Sequence, residues 1–222
     1  MDRISWVFTI LLIASSAFAQ QAPDHPRWDA GVTAGPFWSN PAPPDSFNYD
    51  DWYFEGRYAA SIGRYWTTHL KTELEVATSG EGHRYVMRHA NVPGVPAYYP
   101  ITSEEYFRLQ QVSGRMMWQF GENSWVHPYV FGGVALDIER KRAQLPEQFF
   151  HTTNDPRVAP TRILITPRVQ IGPEHSYRAA AIAGIGTKVY MTPNAFFNAA
   201  FVTSHNATAR AAALTAGLGV DF

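Results

Sequence analysis

Between residues 70 and 77 the side chains change character at every step: Leu70, Thr72, Leu74 and Val76 alternate with Lys71, Glu73, Glu75 and Ala77. A helix would scatter the three charges around its circumference, whereas a strand puts all of them on one face and the apolar residues on the other. The last nine residues, LTAGLGVDF, repeat the pattern, with Leu214, Ala216, Leu218, Val220 and Phe222 in one phase and Thr215, Gly217, Gly219 and Asp221 in the other. Because the alternation recurs at hairpin spacing along the chain, the sequence is confined to an antiparallel sheet of many strands.

The N-terminal segment follows a different rule. Arg3 supplies a positive start, residues 6–14 (WVFTILLIA) an apolar core, and Ala17-Phe18-Ala19 a small-x-small cleavage site. Residues 1–19 are therefore expected to be a cleaved export signal, with residues 20–27 a short periplasmic lead-in and residues 28–222 a single β-domain. No later stretch approaches the 18 or so uninterrupted apolar positions of a spanning helix. The chain has no cysteine, so neither acylation at the cleavage point nor a disulfide framework is expected. Hydrophobic residues make up 45% of the chain and aromatics 14%, yet mean hydropathy is −0.23, as expected when apolar side chains are diluted by alternation. A net charge of −1 lacks the basic field that nucleic acid requires, and no nucleic-acid partner is expected.

Eight strands are predicted, at residues 28–38, 52–63, 70–77, 105–120, 125–140, 176–191, 196–204 and 214–222. In the second, Trp52, Phe54, Tyr58, Ala60 and Ile62 oppose Tyr53, Glu55, Arg57 and Ser61. In the fourth, Phe107 and Leu109 are out of phase with Val112, Met116, Trp118 and Phe120, which predicts a β-bulge near Gln110. Pro36 and Pro128 fall inside strands and call for bulges or frayed ends. Residues 79–103 and 141–174 read as long loops. Long connections follow strands one, three and five and tight turns, including Gly121 to Ser124, follow strands two, four and six. Trp28, Tyr65, Trp66, Trp118, Phe120, Trp125, Tyr190, Phe196 and Phe222 gather at the tight-turn end, as in an interfacial girdle.

Eight strands, connections that alternate in length and the terminal run LTAGLGVDF resemble the small OmpA/OmpX-type outer membrane barrels over residues 28–222. The resemblance implies an all-β, eight-stranded antiparallel up-and-down transmembrane barrel in the outer membrane, with short periplasmic turns and long extracellular loops. It further implies that Leu218, Val220 and Phe222 form the signal read by the barrel-assembly machinery. No peptidoglycan-binding domain is found after the barrel in this sequence, so cell-wall tethering is not implied.

An eight-stranded barrel has room inside only for its own side chains. With the even positions of strands two and three facing lipid, Glu55, Arg57, Lys71, Glu73 and Glu75 face the lumen and need partners, because an unpaired buried charge costs several kcal/mol. A turn centred near Trp66 would set Arg57 opposite Glu75 and Ser61 opposite Lys71, which predicts an Arg57–Glu75 contact with Glu73 reaching Lys71, Arg115 or Lys188. The reading is a charge network that holds the barrel shut rather than an ion path.

Other chemistry-bearing residues are sparser. His175-Ser176 and Ser204-His205, with Glu174 close by, fall near the outer ends of adjacent strands. Lipid A deacylases on such barrels use a serine, a histidine and an acid, but their local His-x-Ser motif is absent here. Glu81, His83 and His89 lack a close metal-ligand framework and read as a solvated loop. Arg140 and Arg142, flanking Lys141, are expected to meet lipid headgroups, the phosphates of lipopolysaccharide included. Asn206-Ala207-Thr208 matches a glycosylation triplet by chance.

The sequence therefore predicts a monomeric, non-enzymatic outer membrane protein with no cofactor and no metal, embedded among outer membrane lipid and lipopolysaccharide and presenting loops for adhesion, recognition or envelope integrity. The alternatives are a lipid A-modifying enzyme using the rim serines and histidines, and a secreted lipocalin-like carrier, which would bury its apolar face and expose its charges.

Overall fold

The computed structural model describes residues 28–41, 52–89, 100–121, 125–151, 162–207 and 209–222. The expected signal and lead-in (1–27), most of the first long connection, and residues 122–124 of the expected tight turn lie outside the described residues.

The alternation folds into β1 (Trp28–Pro41), β2 (Tyr53–Tyr65), β3 (Leu70–Ser79), β4 (Gly82–His89), β5 (Pro100–Gln119), β6 (Val126–Leu145), β7 (Gln148–His151), β8 (Arg162–Thr166), β9 (Val169–Tyr190), β10 (Ala195–His205) and β11 (Ala209–Asp221). Around the main sheet the order is β3-β2-β1-β11-β10-β9-β6-β5-β4, and pairing of β3 with β5 closes it into a barrel. The barrel has eight staves, since β3 and β4 are one stave interrupted at Gly80 and Glu81, both halves lying along β5. First and last strands meet antiparallel, with Ala30 opposite Val220 and Ala34 opposite Ala216. Trp28 and Phe222 exchange both backbone hydrogen bonds, at 2.9 and 2.8 Å, so no sheet edge is left at the base of this seam.

Faces follow the alternation. Phe54, Tyr58, Ile62, Leu74, Val76, Met116, Val134, Ile185, Phe201 and Leu214 point outward and are exposed. The in-between positions are buried, including Arg57, Lys71, Glu75, Arg115, Asp137, Glu139 and Lys188. The barrel is inverted relative to a water-soluble one, apolar outside and ionic inside. An interior apolar cluster, with Phe37, Tyr53, Phe107, Leu109, Phe131, Ile182 and Val202 among its members, fills the space the ions leave.

Several expectations are corrected. The turn between β2 and β3 is centred near residue 68, so Arg57 lies opposite Ser79, Ser61 opposite Glu75 and Tyr65 opposite Lys71. β5 itself carries no bulge near Gln110: its register with β6 is continuous there, and Phe107 and Leu109 simply point inward; the extra residue sits across from it, where β3 passes into β4 and the pairing steps from Thr78 opposite Gln110 to Gly82 opposite Phe107. Another register shift lies between Lys141 and Ala143, opposite the segment of β9 that contains Gly172, whose φ of +90° favours glycine. Pro36 interrupts pairing with β11 only locally, the same register resuming at Phe37 opposite Ala213, and Pro128 sits at the end of the β5–β6 ladder.

The two long loops are partly strand. β4 pairs with the start of β5, and β5, β6 and β9 run 20, 20 and 22 residues where β10 has 11. The β7–β8 hairpin is tied back to β5 by Gln148, whose side chain makes hydrogen bonds of 3.4 and 2.8 Å with the Thr102 backbone. One wall thus rises well beyond the other at the long-connection end. At the short-turn end, Trp28, Trp66, Trp118, Phe120, Trp125 and Phe222 are exposed as expected, whereas Tyr65 and Phe196 are buried and Tyr190 half-buried because their positions carry inward phase.

Candidate functional site

The interior near the short-turn end is built around one carboxylate. Asp29, on β1, accepts from Lys71 Nζ at 2.7 Å and from Lys188 Nζ, brought from β3 and β9 on either side of it. Lys71 also donates to Glu73 at 2.5 Å. Tyr65 joins both centres, its hydroxyl accepting from Lys188 at 2.7 Å and from Gln119 at 3.3 Å while donating to Asp29 at 3.3 Å. Lys188 lies 3.9 Å above the Phe196 ring, so its charge is met by an aromatic face as well as by anions.

A second layer follows. Glu75 accepts from Arg57 Nη2 at 2.5 Å and also pairs with Arg115, which in turn lies 3.6 Å from Glu73. Arg57 donates to Gln111 Oε1 at 3.3 Å, and the Gln111 amide donates onward to Asp137 at 2.8 Å. Asn206 donates to Asp137 at 2.9 Å and to Glu139 at 3.2 Å, and Ser176 donates to Glu139 at 3.2 Å. Each carboxylate in this chain of contacts is answered by a cation or an amide, as buried charge requires.

Of the residues expected in the lumen, Arg57, Lys71, Glu73, Glu75, Arg115 and Lys188 are brought together, and Glu55 is not. Glu55 is buried beside Gly80 and Gly82, and among the described residues neither of its oxygens has a hydrogen-bond partner. Sequence reasoning missed Asp29, Gln111, Asp137, Glu139, Asn206 and Asp221, the last 3.9 Å from Lys188. The signal was present, since Asp137 and Glu139 alternate with Leu136 and Ile138 just as Glu73 and Glu75 alternate with Leu74 and Val76.

The rim residues do not assemble a catalytic pair. In each His-Ser neighbour pair the two side chains take opposite faces: Ser176 and Ser204 turn inward, His175 and His205 are exposed outside. His205 lies opposite Ala181, six residues along β9 from His175, which separates the two pairs by about 20 Å. His83 is not in a loop but in β4, opposite Tyr106 and in ring contact with it at 6.1 Å. Among the described residues no group of three metal-ligating side chains converges; the side chain of His89 lies outside them. Asn206 of the glycosylation triplet is buried in the network, and Thr208 lies outside the described residues.

On the exterior, Arg140 is exposed on the outer face of β6, and Arg142, on the same face, is held by Glu81 at 2.7 Å and stacked 4.3 Å above the Tyr106 ring. Leu218 and Val220 are half-buried on the outer face of β11, and Phe222 is exposed at its end.

No protein-family model and no curated protein matches the sequence. Among solved structures the chain is similar to Neisserial surface protein A, with 14% identity over 88% of this chain and 97% of that one and a TM-score of 0.50. It is also similar to the N-terminal β-barrel domain of Pseudomonas aeruginosa OprF (17% identity, 89% of this chain and 100% of that one, TM-score 0.45) and to the attachment invasion locus protein Ail of Yersinia pestis (10%, 88% and 99%, TM-score 0.46). With its closed antiparallel sheet, apolar exterior and ion-paired interior, this chain has the fold of the small eight-stranded outer membrane barrels.

Proposed function

We propose that the protein is a non-enzymatic integral outer membrane protein, its lumen filled and closed, whose barrel anchors cell-surface connections used in adhesion, recognition or envelope integrity. The observation that carries this is the inversion of its solvent preference: Leu74 is 52% and Val134 72% exposed while Lys71 and Glu139 are completely buried. Water would penalise such an exterior, a contiguous apolar band around the barrel, and hydrocarbon would not. The same inversion argues against a lipocalin-like carrier, and the separation of serine from histidine leaves the deacylase reading without a nucleophile–base pair.

In this reading residues 1–19 direct export and are cleaved after Ala19, the barrel-assembly machinery reads Leu218, Val220 and Phe222, and the short turns face the periplasm. Outer membrane fractionation, with a gel comparing boiled and unboiled samples, tests compartment and fold together: a folded barrel in the outer membrane fraction migrates differently before and after boiling. Recovery in the soluble fraction, or identical migration, would overturn the proposal. Planar bilayers should show no conductance above background, because the Asp29 and Glu75 ion pairs and the Phe107 layer occupy the lumen.

A further inference from the structure

The outer surface carries an organised strip that the barrel alone does not require. Two outward rows run side by side across β11, β1, β2, β3 and β5, and between them lies a groove of about 830 Å³. Its floor is small, with Ala34, Ala60 and Ala216; Tyr58, Val76 and Val112 stand along it, and Arg108 closes one end. Across the ladder from Arg108 is Arg140, also outward, and beyond Arg140 is His175. One step farther from the base, His83, Tyr106 and Arg142 form the next cross-strand row, with Tyr85 exposed beside it.

Two arginines directly opposite each other repel. Arg108 donates to Thr78 at 3.4 Å, and among the described residues its Nε has no hydrogen-bond acceptor. The acids on this face are engaged elsewhere, Glu81 by Arg142 and Glu104 by the Tyr106 hydroxyl at 2.8 Å. An anion bridging Arg108 and Arg140 would remove the repulsion, and phosphate matches the guanidinium fork.

From base to rim, the strip therefore offers an apolar trough, then paired guanidinium groups, then aromatic rings and a stacked arginine. We propose that it binds one molecule of lipopolysaccharide, with an acyl chain in the trough, a lipid A phosphate between Arg108 and Arg140, and sugar against the His83–Tyr106–Arg142 row. The aromatic row favours a phosphorylated glycolipid over a glycerophospholipid, whose headgroup has no ring faces to stack. This rests on the reading that the long-connection end lies at the cell surface. Arg108 stands 11 residues from Gln119 at the foot of β5, which at the usual strand tilt is about 25 Å, the height of the apolar band.

The test uses the full-length mature barrel in detergent micelles, with native mass spectrometry against hexa-acylated bisphosphorylated lipid A, the same lipid with its phosphates removed, and phosphatidylglycerol. Wild type should hold one lipid A, at least tenfold more tightly than either of the other lipids. The Arg108→Ala/Arg140→Ala double variant and Ala60→Trp, which fills the trough, should each lose tenfold or more, while Val134→Trp, outside the groove, should match wild type. Wild-type affinity in the arginine variant, or equal binding of phosphatidylglycerol, overturns the proposal. Gel migration of the same samples establishes folding, so should Ala60→Trp not fold the surface arginine variant decides. A folded barrel, found in the outer membrane, that fails to select lipid A refutes this inference and leaves the proposed function standing.

Discussion

Arg57 contacts Glu75 at 2.5 Å although the ladder seats Arg57 opposite Ser79 and Glu75 opposite Ser61. The contact is diagonal, made possible by the reach of the guanidinium across the tilted staves. Because Arg115 converges on the same carboxylate, Glu75→Gln would leave two buried guanidinium groups facing each other. Loss of about 3–5 kcal/mol is expected, the cost of removing one partner from a buried pair. Guanidinium unfolding of the refolded barrel, followed by tryptophan fluorescence, measures it; a change below about 1 kcal/mol would show the network to be dispensable.

The apolar filling makes its own prediction. Phe107 is 1% exposed and lies 5.5 Å from Tyr53, ring to ring. Phe107→Ala should lower unfolding stability by about 3–5 kcal/mol through the cavity it leaves. Bilayer conductance should stay at background, since the ion-paired layers remain in place.

The exterior separates lipid from water directly. Leu74 is half-exposed on the outer face four residues above the foot of β3. In water Leu74→Arg would be nearly neutral. Within a bilayer it should cost about 2–4 kcal/mol, read as a shift in the unfolding midpoint in phospholipid vesicles that is absent for Thr67→Arg in the turn.

Closure of the seam depends on glycine at Gly35 and Gly217 alike. A Cβ added to Gly217 would strike the Val32 carbonyl oxygen and stand 2.7 Å from Thr33 Cα, both backbone atoms that cannot turn aside. Gly217→Ala should therefore destabilise the barrel by about 1–3 kcal/mol and reduce the fraction that migrates as folded without boiling. Gly114→Ala, with open space around it, should fold as wild type does.

Period-two alternation carried the sequence reading a long way, because it assigns faces without needing to know neighbours. It made the barrel, the strand count, the alternating connections and six of the lumen ions legible. Register was less accessible: a shift of the β2–β3 turn centre by two residues moves every opposite pair by four, and nothing local in residues 64–69 fixes it. The invoked bulge at Gln110 had a further cost. It explained Phe107 and Leu109 by turning them outward, which hid the apolar upper lumen and hid Arg108 on the outer face, where the lipid strip begins. Glu55 followed the alternation correctly yet stands outside the network, because height along the barrel, which alternation does not encode, decides who its neighbours are.

The seam between Trp28 and Phe222 joins the earliest and the latest synthesised staves of the domain. Until β11 is in place, β1 and β10 both present open rows of amide and carbonyl groups, and a chain emerging in order can satisfy neither from what it already holds. Closure therefore waits for β11, and until it joins, the unfinished sheet has two open edges on which another copy could pair.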